Sequence, residues 1–478
     1  MTMNKTSCGI ILLAAGHGKR MRSSLPKVLH EVGGRPLLFH VLERIQAVAP
    51  TAPIAIVLGH QSQKVEAAIR NSNLFSDLKI TYIQQPEQRG TGHAAKCVME
   101  SSWGKDRLSA RQPVLVLPGD QPLLNDELVS QILEPLSRTS ALRLLTCELP
   151  DPSGYGRVVR RGKKGPVLRI VEERDANLRE KAICEVAASI YFFQSSFLSV
   201  GLQRLSNKNS QGEYYLTDLI GQAVRAKKPI EVLVWKNHDH LRGVNDSWEL
   251  AQAQRLLNEQ TVKKWAQKGV KFLDPWSTWI DVSVEIGEEV VISQNVVLSG
   301  KTEIGRGVKL GPHVVLKNMQ VGEGSEVKAG TVAENSTIGS HALVGPYAHL
   351  RPDSSVGEGC KIGNFVELKK THIGDHTSVA HLSYLGDAEV GSHVNIGCGF
   401  VTCNYDGRVI EGERKHRTII EDGVFLGSDC QTVAPVKIGK GAYVASGSTI
   451  TEDVEADSLA VARARQVNKP GYARKLRS

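Results

Sequence analysis

The sequence predicts an α/β unit in the N-terminal half of the chain and an all-β unit, a parallel β-helix, in the C-terminal half. Near the N-terminus, apolar strands run directly into polar turns, as at Gly9–Gly16 and Val114–Asp120. An open α/β sheet places its ligands at such strand ends. From Ile286 to Val454 an aliphatic residue instead recurs about every six positions. A period of six fits neither a helix nor a half-buried strand, but it is typical of a β-helix.

Each six-residue unit should form one short strand and one corner, with its leading aliphatic side chain pointing into the axis. A Gly often follows the leading residue, as in Ile304-Gly305, and we expect it to adopt the positive φ that corners require. A small or β-branched residue usually lies four places after the leading one. Steps of five residues predict either shortened corners or a leading residue assigned one position too early or too late. A sandwich of ordinary strands is the alternative, which the single repeated spacing disfavours. The leading residues are Leu310, Leu316, Val321, Val327, Val332, Ile338, Val344, Leu350, Val356, Ile362, Leu368, Ile373, Val379, Leu385, Val390, Ile396, Ile420, Leu426, Ile438, Val444 and Ile450.

Composition narrows the function classes. The 478 residues are 41% hydrophobic and 23% charged, with a net charge of +9, as in an ordinary globular protein. The basic residues are dispersed and few aromatics accompany them, so small anionic substrates explain the charge without nucleic acid. We expect no membrane segment and no signal peptide. The eight cysteines lack C-x-x-C spacing, which predicts free thiols and a cytoplasmic location.

The turn Gly16–Met21 is a candidate phosphate site. Its glycines let backbone N–H groups approach a phosphate, and Lys19, Arg20 and Lys27 add charged donors. The spacing differs from both the dinucleotide and the P-loop patterns, and a plain strand-to-helix turn is the alternative. Asp120 follows a buried strand, where a carboxylate suits Mg²⁺, although it could equally cap a helix.

The string L-x-x-G-x-G-x-R-M, followed by L-P-K, resembles the signature of sugar-nucleotide pyrophosphorylases. The resemblance implies a Rossmann-like uridylyltransferase domain. Arg20 and Lys27 would neutralise phosphate charge, while Asp120 and Asn245 would hold Mg²⁺. Other matching positions would contact the nucleotide, the uracil or the sugar. They are Leu13, Ala14, Gly16, Gln85, Gln88, Gly90, Thr91, Gly154, Glu172, Tyr215 and Thr217.

One position departs from that family pattern. Where the family has an Asn that contacts the sugar nucleotide, this chain has Ala187. One lost hydrogen bond typically costs about 0.5–1.5 kcal/mol. The substitution raises the alternative that the domain has reduced activity or prefers another sugar.

A helical pattern with Gly269 as its stop links the two halves. We therefore expect a nucleotidyltransferase domain at 1–246 and a linker helix at 247–269. The β-helix domain would occupy 270–460, and a basic tail 461–478.

In the second half, we expect the functional residues at the places where the six-residue pattern is interrupted. They are Tyr347–Pro352, Asn364–Lys370 and Val379–Asp387. If three units make one coil, Arg351 and Lys369 stack one coil apart. His381 would lie on a different face, so the site should close between faces or between subunits.

These strings resemble the acetyltransferase half of the bifunctional bacterial enzymes that make UDP-N-acetylglucosamine. The resemblance implies a left-handed β-helix and a homotrimer. His381 would be the general base, because an imidazole suits proton transfer near neutral pH. Arg351, Lys369, Tyr384, Asn395 and Lys415 would bind glucosamine 1-phosphate. The acetyl-CoA residues would be Asn404, Tyr405, Ser428, Ser446 and Arg463.

The leading hypothesis is therefore a cytoplasmic enzyme with two steps. Acetyl-CoA acetylates glucosamine 1-phosphate, and UTP with Mg²⁺ then converts GlcNAc 1-phosphate to UDP-GlcNAc and pyrophosphate. Two alternatives remain: another sugar 1-phosphate in the first domain, or a non-catalytic β-helix used for regulation or assembly.

Overall fold

The computed structural model describes residues 8–162, 165–407, 409, 412 and 414–477. The chain forms two compact units, Met1–Leu257 and Asn258–Ser478, and their boundary falls within a helix at Ser247–Gln267. Three of the predicted domain ranges include some residues outside the described part, namely 1–246, 270–460 and 461–478. Among the described residues, no helix has both the length and the apolar character needed to cross a membrane.

The first unit is an α/β fold. Its strands are β1 (Gly9–Leu13), β2 (Glu31–Val32), β3 (Arg35–Pro36), β4 (Ile54–Leu58), β5 (Ile80–Gln84), β6 (Val114–Pro118), β7 (Leu142–Glu148), β8 (Arg157–Arg160), β9 (Val167–Val171), β10 (Glu185–Phe193) and β11 (Ile230–Val234). Its helices are α1 (Leu37–Val48), α2 (Ser62–Ser72), α3 (Thr91–Glu100), α4 (Ser102–Ser109), α5 (Asp126–Ile132), α6 (Leu178–Lys181), α7 (Ser195–Gln203), α8 (Asp218–Arg225) and the start of α9 (Ser247–Gln267). Short 3-10 turns lie at Lys19–Met21, Lys27–Leu29 and His238–Leu241.

The main sheet has the strand order β11-β7-β10-β6-β1-β4-β5. Strand β10 runs antiparallel to both of its neighbours in this order, and the other adjacent pairs are parallel. Leu13, which ends β1, pairs with Pro118, which ends β6, and Gly119 N–H donates to Leu13 O at 3.0 Å. The segments that leave these strands therefore start side by side, which brings the Gly16 turn and Asp120 to one edge of the sheet.

The second unit is a left-handed parallel β-helix of six-residue repeats, so the predicted fold class is confirmed. Successive strands visit three faces in turn, and each strand pairs with the strand one coil away. The first face contains Lys271–Phe272, Val291–Ile292, Lys309–Leu310, Glu326–Val327, Leu343–Val344, Lys361–Ile362, Ser378–Val379, Asn395–Ile396, Phe425–Leu426, Tyr443–Val444 and Leu459–Ala460. The second face contains Trp279–Ile280, Val297–Ser299, Val315–Lys317, Val332–Glu334, His349–Leu350, Glu367–Lys369, Tyr384–Gly386, Val401–Cys403, Gln431–Val433 and Thr449–Ile450. The third face contains Glu285–Ile286, Glu303–Ile304, Gln320–Val321, Thr337–Ile338, Ser355–Val356, His372–Ile373, Ala388–Val390, Thr418–Ile420 and Val436–Ile438. A last helix, α10, spans Tyr472–Lys475.

The predicted leading residues point into the coil, with one exception. All of them are buried except Val332, which is 41% exposed, while its neighbour Ala333 is 1% exposed. Ala333 pairs with Leu316 and Leu350 on the adjacent coils, so it is the inward residue of that strand. The prediction was wrong here because the longer aliphatic side chain was taken as the buried one.

The predicted reason for the Gly after a leading residue is also wrong at most positions, although Gly345, which follows Val344, does have a positive φ of +95°. Gly305 does not have a positive φ; instead, a Cβ there would lie 2.7 Å from the backbone N of Glu323 on the next coil. The positive φ of this corner, +68°, belongs to Gly307, two residues later. Close approach between coils therefore requires the first Gly, and backbone conformation explains the second.

The steps of five residues are shortened corners, as predicted. The steps Leu316–Val321, Leu368–Ile373 and Leu385–Val390 each connect a strand of the second face to one of the third face. The loop that precedes Thr418 leaves the coil at the same corner. Variation in coil length is thus concentrated at one corner of the prism.

Candidate active sites

A cavity of about 840 Å³ lies at the carboxyl ends of β1 and β6 in the first unit. It brings together nearly all of the residues that the sequence singled out there. Those that line it are Leu13, Ala14, Gly16, Lys19, Arg20, Lys27, Gln85, Gln88, Gly90, Thr91, Asp120, Gly154, Glu172, Ala187, Thr217 and Asn245. Tyr215 is not part of the lining; it is 7% exposed, and its hydroxyl accepts a hydrogen bond from Gln211 at 2.8 Å.

In this cavity, the side-chain oxygens of Asp120 and Asn245 converge on the ammonium of Lys27. The ammonium of Lys27 donates to Asn245 Oδ1 at 2.8 Å and forms an ion pair with Asp120. Val244 N–H donates to Asp120 O at 3.0 Å, which ties the Asn245 segment to the end of β6. A position that accepts an ammonium between a carboxylate and an amide oxygen also suits a hard divalent cation. Within the described part of the chain, no group of three or more His, Cys, Asp or Glu side chains forms a metal cluster. Mg²⁺ keeps several waters and phosphate oxygens, so two protein ligands are enough.

One wall of the cavity is built around a turn at Gly90. This residue has φ +95°, and a Cβ there would lie 2.7 Å from Tyr214 O. Gln85 is 2% exposed, and its Nε2 lies 3.2 Å from Gly90 O and 3.1 Å from His93 Nδ1. The Gln85 amide therefore helps to hold the turn from which Thr91 begins α3.

Another wall of the cavity contains the Gly154 turn and Glu172. Gly154 has φ +84°, and its N–H donates to Glu173 Oε2 at 3.3 Å. Burial raises the pKa of the Glu172 carboxyl above its usual range, and a 2.8 Å hydrogen bond from Thr217 Oγ1 partly opposes that rise. Ala187 offers this wall a methyl group and no side-chain hydrogen bond.

Sequence reasoning did not single out several residues around this cavity, including Arg157, Glu249 and Gln121. Arg157 is 1% exposed and pairs with Glu173 at 2.6 Å, so it supports the Gly154 turn. Glu249 lines the cavity and accepts a 2.6 Å hydrogen bond from Asn245 N–H. Gln121 lines the cavity directly after Asp120. No sequence signal marked Arg157 or Glu249, because each acts through a partner that the fold brings close, and Gln121 was marked only by its place after Asp120.

In the second unit, Arg351 and Lys369 lie on adjacent coils of the second face. Leu350 pairs with Leu368, and each basic residue directly follows its leucine, so the predicted stacking is present. Arg351 Nη1 lies 3.0 Å from Glu367 Oε1. Both partners of this ion pair remain more than a third exposed, so a phosphate could compete for the guanidinium.

Tyr384 and Asn404 extend the same face. Tyr384 pairs with Glu367 on one side and Val401 on the other. Burial raises the pKa of the Tyr384 hydroxyl, and a hydrogen bond with the Asn404 side chain opposes that rise. Asn404 Nδ2 also donates to Asp387 Oδ2 at 2.5 Å. Arg351, Lys369 and Tyr384 therefore form one polar surface, and Asn404, which is only 5% exposed, holds the Tyr384 hydroxyl.

His381 lies at the corner between the first and second faces, two residues after Val379. Val379, Ile396, Leu426 and Val444 follow one another in register on successive coils. The residues two places after them therefore form a column along this corner, which contains His381, Cys398, Ser428 and Ser446. Arg463 Nη1 donates to Ser446 O at 2.7 Å, which joins the tail to the column. Cys398 was not among the predicted residues.

The remaining predicted residues lie apart from this surface. Asn395 is exposed on the first face, which is a different side of the prism from Tyr384. Lys415 lies in the loop after the second face, with its ammonium 4.1 Å from the centre of the Tyr405 ring. Because outward side chains on different faces of a triangular prism point apart, one chain does not gather Asn395 and Tyr384 around one small substrate.

Comparison with known proteins gives matches over both units. The MobA-like NTP transferase domain matches residues 10–149, and the bacterial transferase hexapeptide family matches 283–318, 335–370 and 417–452. The bifunctional protein GlmU of Trichlorobacter lovleyi is 44% identical and the alignment covers 98% of each chain. That of Methylococcus capsulatus is 44% identical, with 97% of this chain and 96% of the relative covered. That of Shouchella clausii is 40% identical, with 97% and 98% covered.

Proposed function

The chain belongs to the family of bifunctional GlmU proteins, and we propose that each of its two units carries one of the two transfer reactions. The protein is an enzyme with uridylyltransferase and acetyltransferase activities. It acetylates glucosamine 1-phosphate from acetyl-CoA and transfers uridylyl from UTP to GlcNAc 1-phosphate, which forms UDP-GlcNAc and pyrophosphate. We assign uridylyl transfer to residues 1–246 and acetyl transfer to residues 270–460. This assignment rests mainly on the cavity of the first unit, which brings together the residues that we propose to bind phosphate, a cation and the sugar.

In uridylyl transfer, the phosphate oxygen of GlcNAc 1-phosphate attacks the α-phosphorus of UTP. The bond from that phosphorus to the bridging oxygen breaks, and pyrophosphate leaves. The attacking group is already an anion, so this step requires no general base. Arg20 and Lys27 hold and neutralise the phosphates, while Gly154 and Glu172 orient the sugar. Gln85, Gln88, Gly90 and Thr91 bind the uracil end.

We propose Mg²⁺ as the cation of this site. Asp120 and Asn245 would hold it, because their oxygens already converge on the Lys27 ammonium. When bound, Mg²⁺ neutralises phosphate charge. Lys27 would then be released towards the phosphates that Mg²⁺ attracts.

In acetyl transfer, the amine nitrogen of glucosamine 1-phosphate attacks the carbonyl carbon of acetyl-CoA. The carbon–sulfur bond breaks, the CoA thiolate leaves, and His381 takes the proton that the nitrogen loses. Arg351 and Lys369 bind the phosphate, and Tyr384 and Asn395 bind the sugar. Acetyl-CoA lies along the corner column, with Ser428, Ser446 and Arg463 along its length and Asn404 and Tyr405 near its reactive end. Lys415 completes the sugar phosphate site.

We propose a homotrimer whose subunits complete the acetyltransferase site. An apolar column consists of Tyr347, Phe365 and Leu382. Each of them lies three residues after a buried leading residue of the first face. They are 57%, 56% and 58% exposed, and the Tyr347 and Phe365 rings stack with centroids 5.6 Å apart. An apolar column next to His381 suits a subunit contact. A neighbouring copy would also supply the residues that one chain holds on separate faces. The cytoplasmic location remains a prediction.

Reciprocal variants of the full-length protein test the assignment. Pyrophosphate release is followed with UTP, Mg²⁺ and GlcNAc 1-phosphate, and CoA thiol release with acetyl-CoA and glucosamine 1-phosphate. We expect His381→Ala to lower acetyl transfer by roughly 10²- to 10⁴-fold while uridylyl transfer is unchanged. Asp120→Ala should have the opposite pattern. Wild-type acetyl transfer in His381→Ala would show that His381 is not the base.

A further inference from the structure

We infer that Gln121 is a positioning residue for the sugar 1-phosphate, because it fixes the wall of the first unit's cavity that contains Ala187 and Ala188. The inference rests on the proposed uridylyl transfer. It concerns a residue that directly follows the proposed Mg²⁺ ligand Asp120 and is itself 4% exposed.

The Gln121 amide joins two segments that are distant in the sequence. Its Nε2 donates to Ala188 O at 3.0 Å and to Leu241 O at 3.1 Å. Both partners are carbonyl oxygens, so the amide nitrogen must face them and the orientation of the side chain is determined. Ala188 lies in β10, and Leu241 lies just before the segment that contains Asn245. One side chain therefore connects the cation end of the cavity to its sugar end.

The Ala188 carbonyl needs this donor because β10 is irregular at this point. The pairing of β10 with β7 changes register between Ala187 and Tyr191, and Ser189 has φ +60°. On the other side of the wall, Ala187 N–H donates to Gly156 O at 2.9 Å. The bulged strand is thus held from two sides, by the glycine turn and by Gln121.

Backbone position matters more than usual in this wall. Ala187, Ala188 and Ser189 all line the cavity. Neither alanine has a side chain that can hydrogen-bond to a sugar, so the place and shape of the backbone decide how the sugar sits. A small displacement of reacting groups is enough to slow a transfer reaction severely. Gln121 acts on that geometry without providing chemistry.

The Gln121 side chain also has a cost in the free protein. Its Oε1 is buried and accepts no hydrogen bond from any residue that the structure describes. Removing the amide therefore loses two hydrogen bonds but also removes one unpaired buried oxygen. A purely structural role predicts a change in stability alone, whereas a positioning role predicts a change in sugar phosphate binding.

The test compares Gln121→Met with Gln222→Met. Gln222 is a matched control in the same unit, because its Nε2 donates to Gly201 O at 3.1 Å and it does not line the cavity. The KM values for GlcNAc 1-phosphate and UTP are measured with full-length protein, together with the Kd for GlcNAc 1-phosphate by calorimetry. We expect Gln121→Met to raise the KM and Kd for the sugar phosphate by roughly 3- to 10-fold, as one or two lost hydrogen bonds would. The KM for UTP should stay within about twofold, and Gln222→Met should change neither constant.

Unchanged sugar phosphate constants in Gln121→Met would overturn the inference, as would an equal rise in both KM values. If Gln121→Met does not fold, Gln121→Leu, which also lacks a donor, is measured against the same criteria. The calorimetric Kd does not depend on turnover. It therefore tests the role of Gln121 in binding even if the wild-type protein shows no uridylyl transfer, which would contradict the proposed function instead.

Discussion

Replacement of Phe365 by Gly should separate the stability of one chain from the assembly of three. Phe365 has φ +55°, a conformation that costs a residue with a side chain about 1–2 kcal/mol and costs Gly little. The change also loses the stacking on Tyr347, about 0.5–1.5 kcal/mol, and adds freedom to the unfolded chain. These effects oppose one another, so the thermal stability of the β-helix should change little.

Assembly should respond differently. The Phe365 side chain is about half exposed, at 56%, so a subunit contact would bury about half of its surface. Full burial of such a side chain contributes about 1.5–3 kcal/mol, and the contact should contribute roughly half of that free energy. A trimer contains this contact three times, so the variant should lose about 2–5 kcal/mol of assembly free energy. That corresponds to weaker association by a factor of roughly 30 or more.

Sedimentation measurements over a range of protein concentrations would report assembly, and the two enzyme assays would report function. We expect Phe365→Gly to dissociate at concentrations where the wild-type protein remains a trimer, and to lose acetyl transfer in the same range. Uridylyl transfer should be unchanged, which makes it an internal control. Asp353→Gly is the matched variant, since Asp353 has φ +64° and is exposed but is not part of the apolar column. If Phe365→Gly assembled and acetylated like the wild-type protein, this corner would not be the subunit contact.

Three further predictions concern the two units separately. Ala187→Asn should lower the KM for GlcNAc 1-phosphate by roughly 2- to 10-fold by adding one hydrogen bond, and an unchanged KM would contradict this. Glu172→Gln should weaken sugar phosphate binding but raise the unfolding temperature. Because burial raises the Glu172 pKa in the folded state, the contribution of this group to stability is present at low pH and is lost as pH rises through that raised pKa. The gain in unfolding temperature should therefore be larger at about pH 8 than at about pH 4, and an equal gain at both would refute the reasoning. Gly305→Ala should destabilise the β-helix by about 1–3 kcal/mol through the close approach of the next coil. Gly307→Asn should cost less, because Asn tolerates a positive φ, and circular dichroism melts that ranked them the other way would be inconsistent with the two glycine roles.

The sequence predicted the β-helix well because its signal is local and repeated. Each coil has the same requirement for an inward aliphatic residue, so one spacing recurs over many units. The five-residue steps at Leu368–Ile373 and Leu385–Val390 could be detected for the same reason. In the structure, they are shortened corners of the coil. Family resemblance, carried by short strings such as Gly16–Met21, identified the function.

The candidate sites were only partly accessible from the sequence. Lys27, Asp120 and Asn245 were singled out one by one, but their convergence on one point joins residues 218 positions apart. Gln121 was missed because its two partners lie 67 and 120 residues away. No local pattern marks a side chain whose role depends on contacts at that separation.

The sequence by itself therefore determined the period of the coil, the strands that end in polar turns and the residues available for chemistry. Tertiary structure alone decided which neighbour faces inward, as with Val332 and Ala333, and why Gly305 must be a glycine. In each case the deciding contact is with the adjacent coil, 17 or 18 residues away. The physical reason is that burial and close approach are properties of packed pairs, whereas a sequence pattern records only what each residue could do.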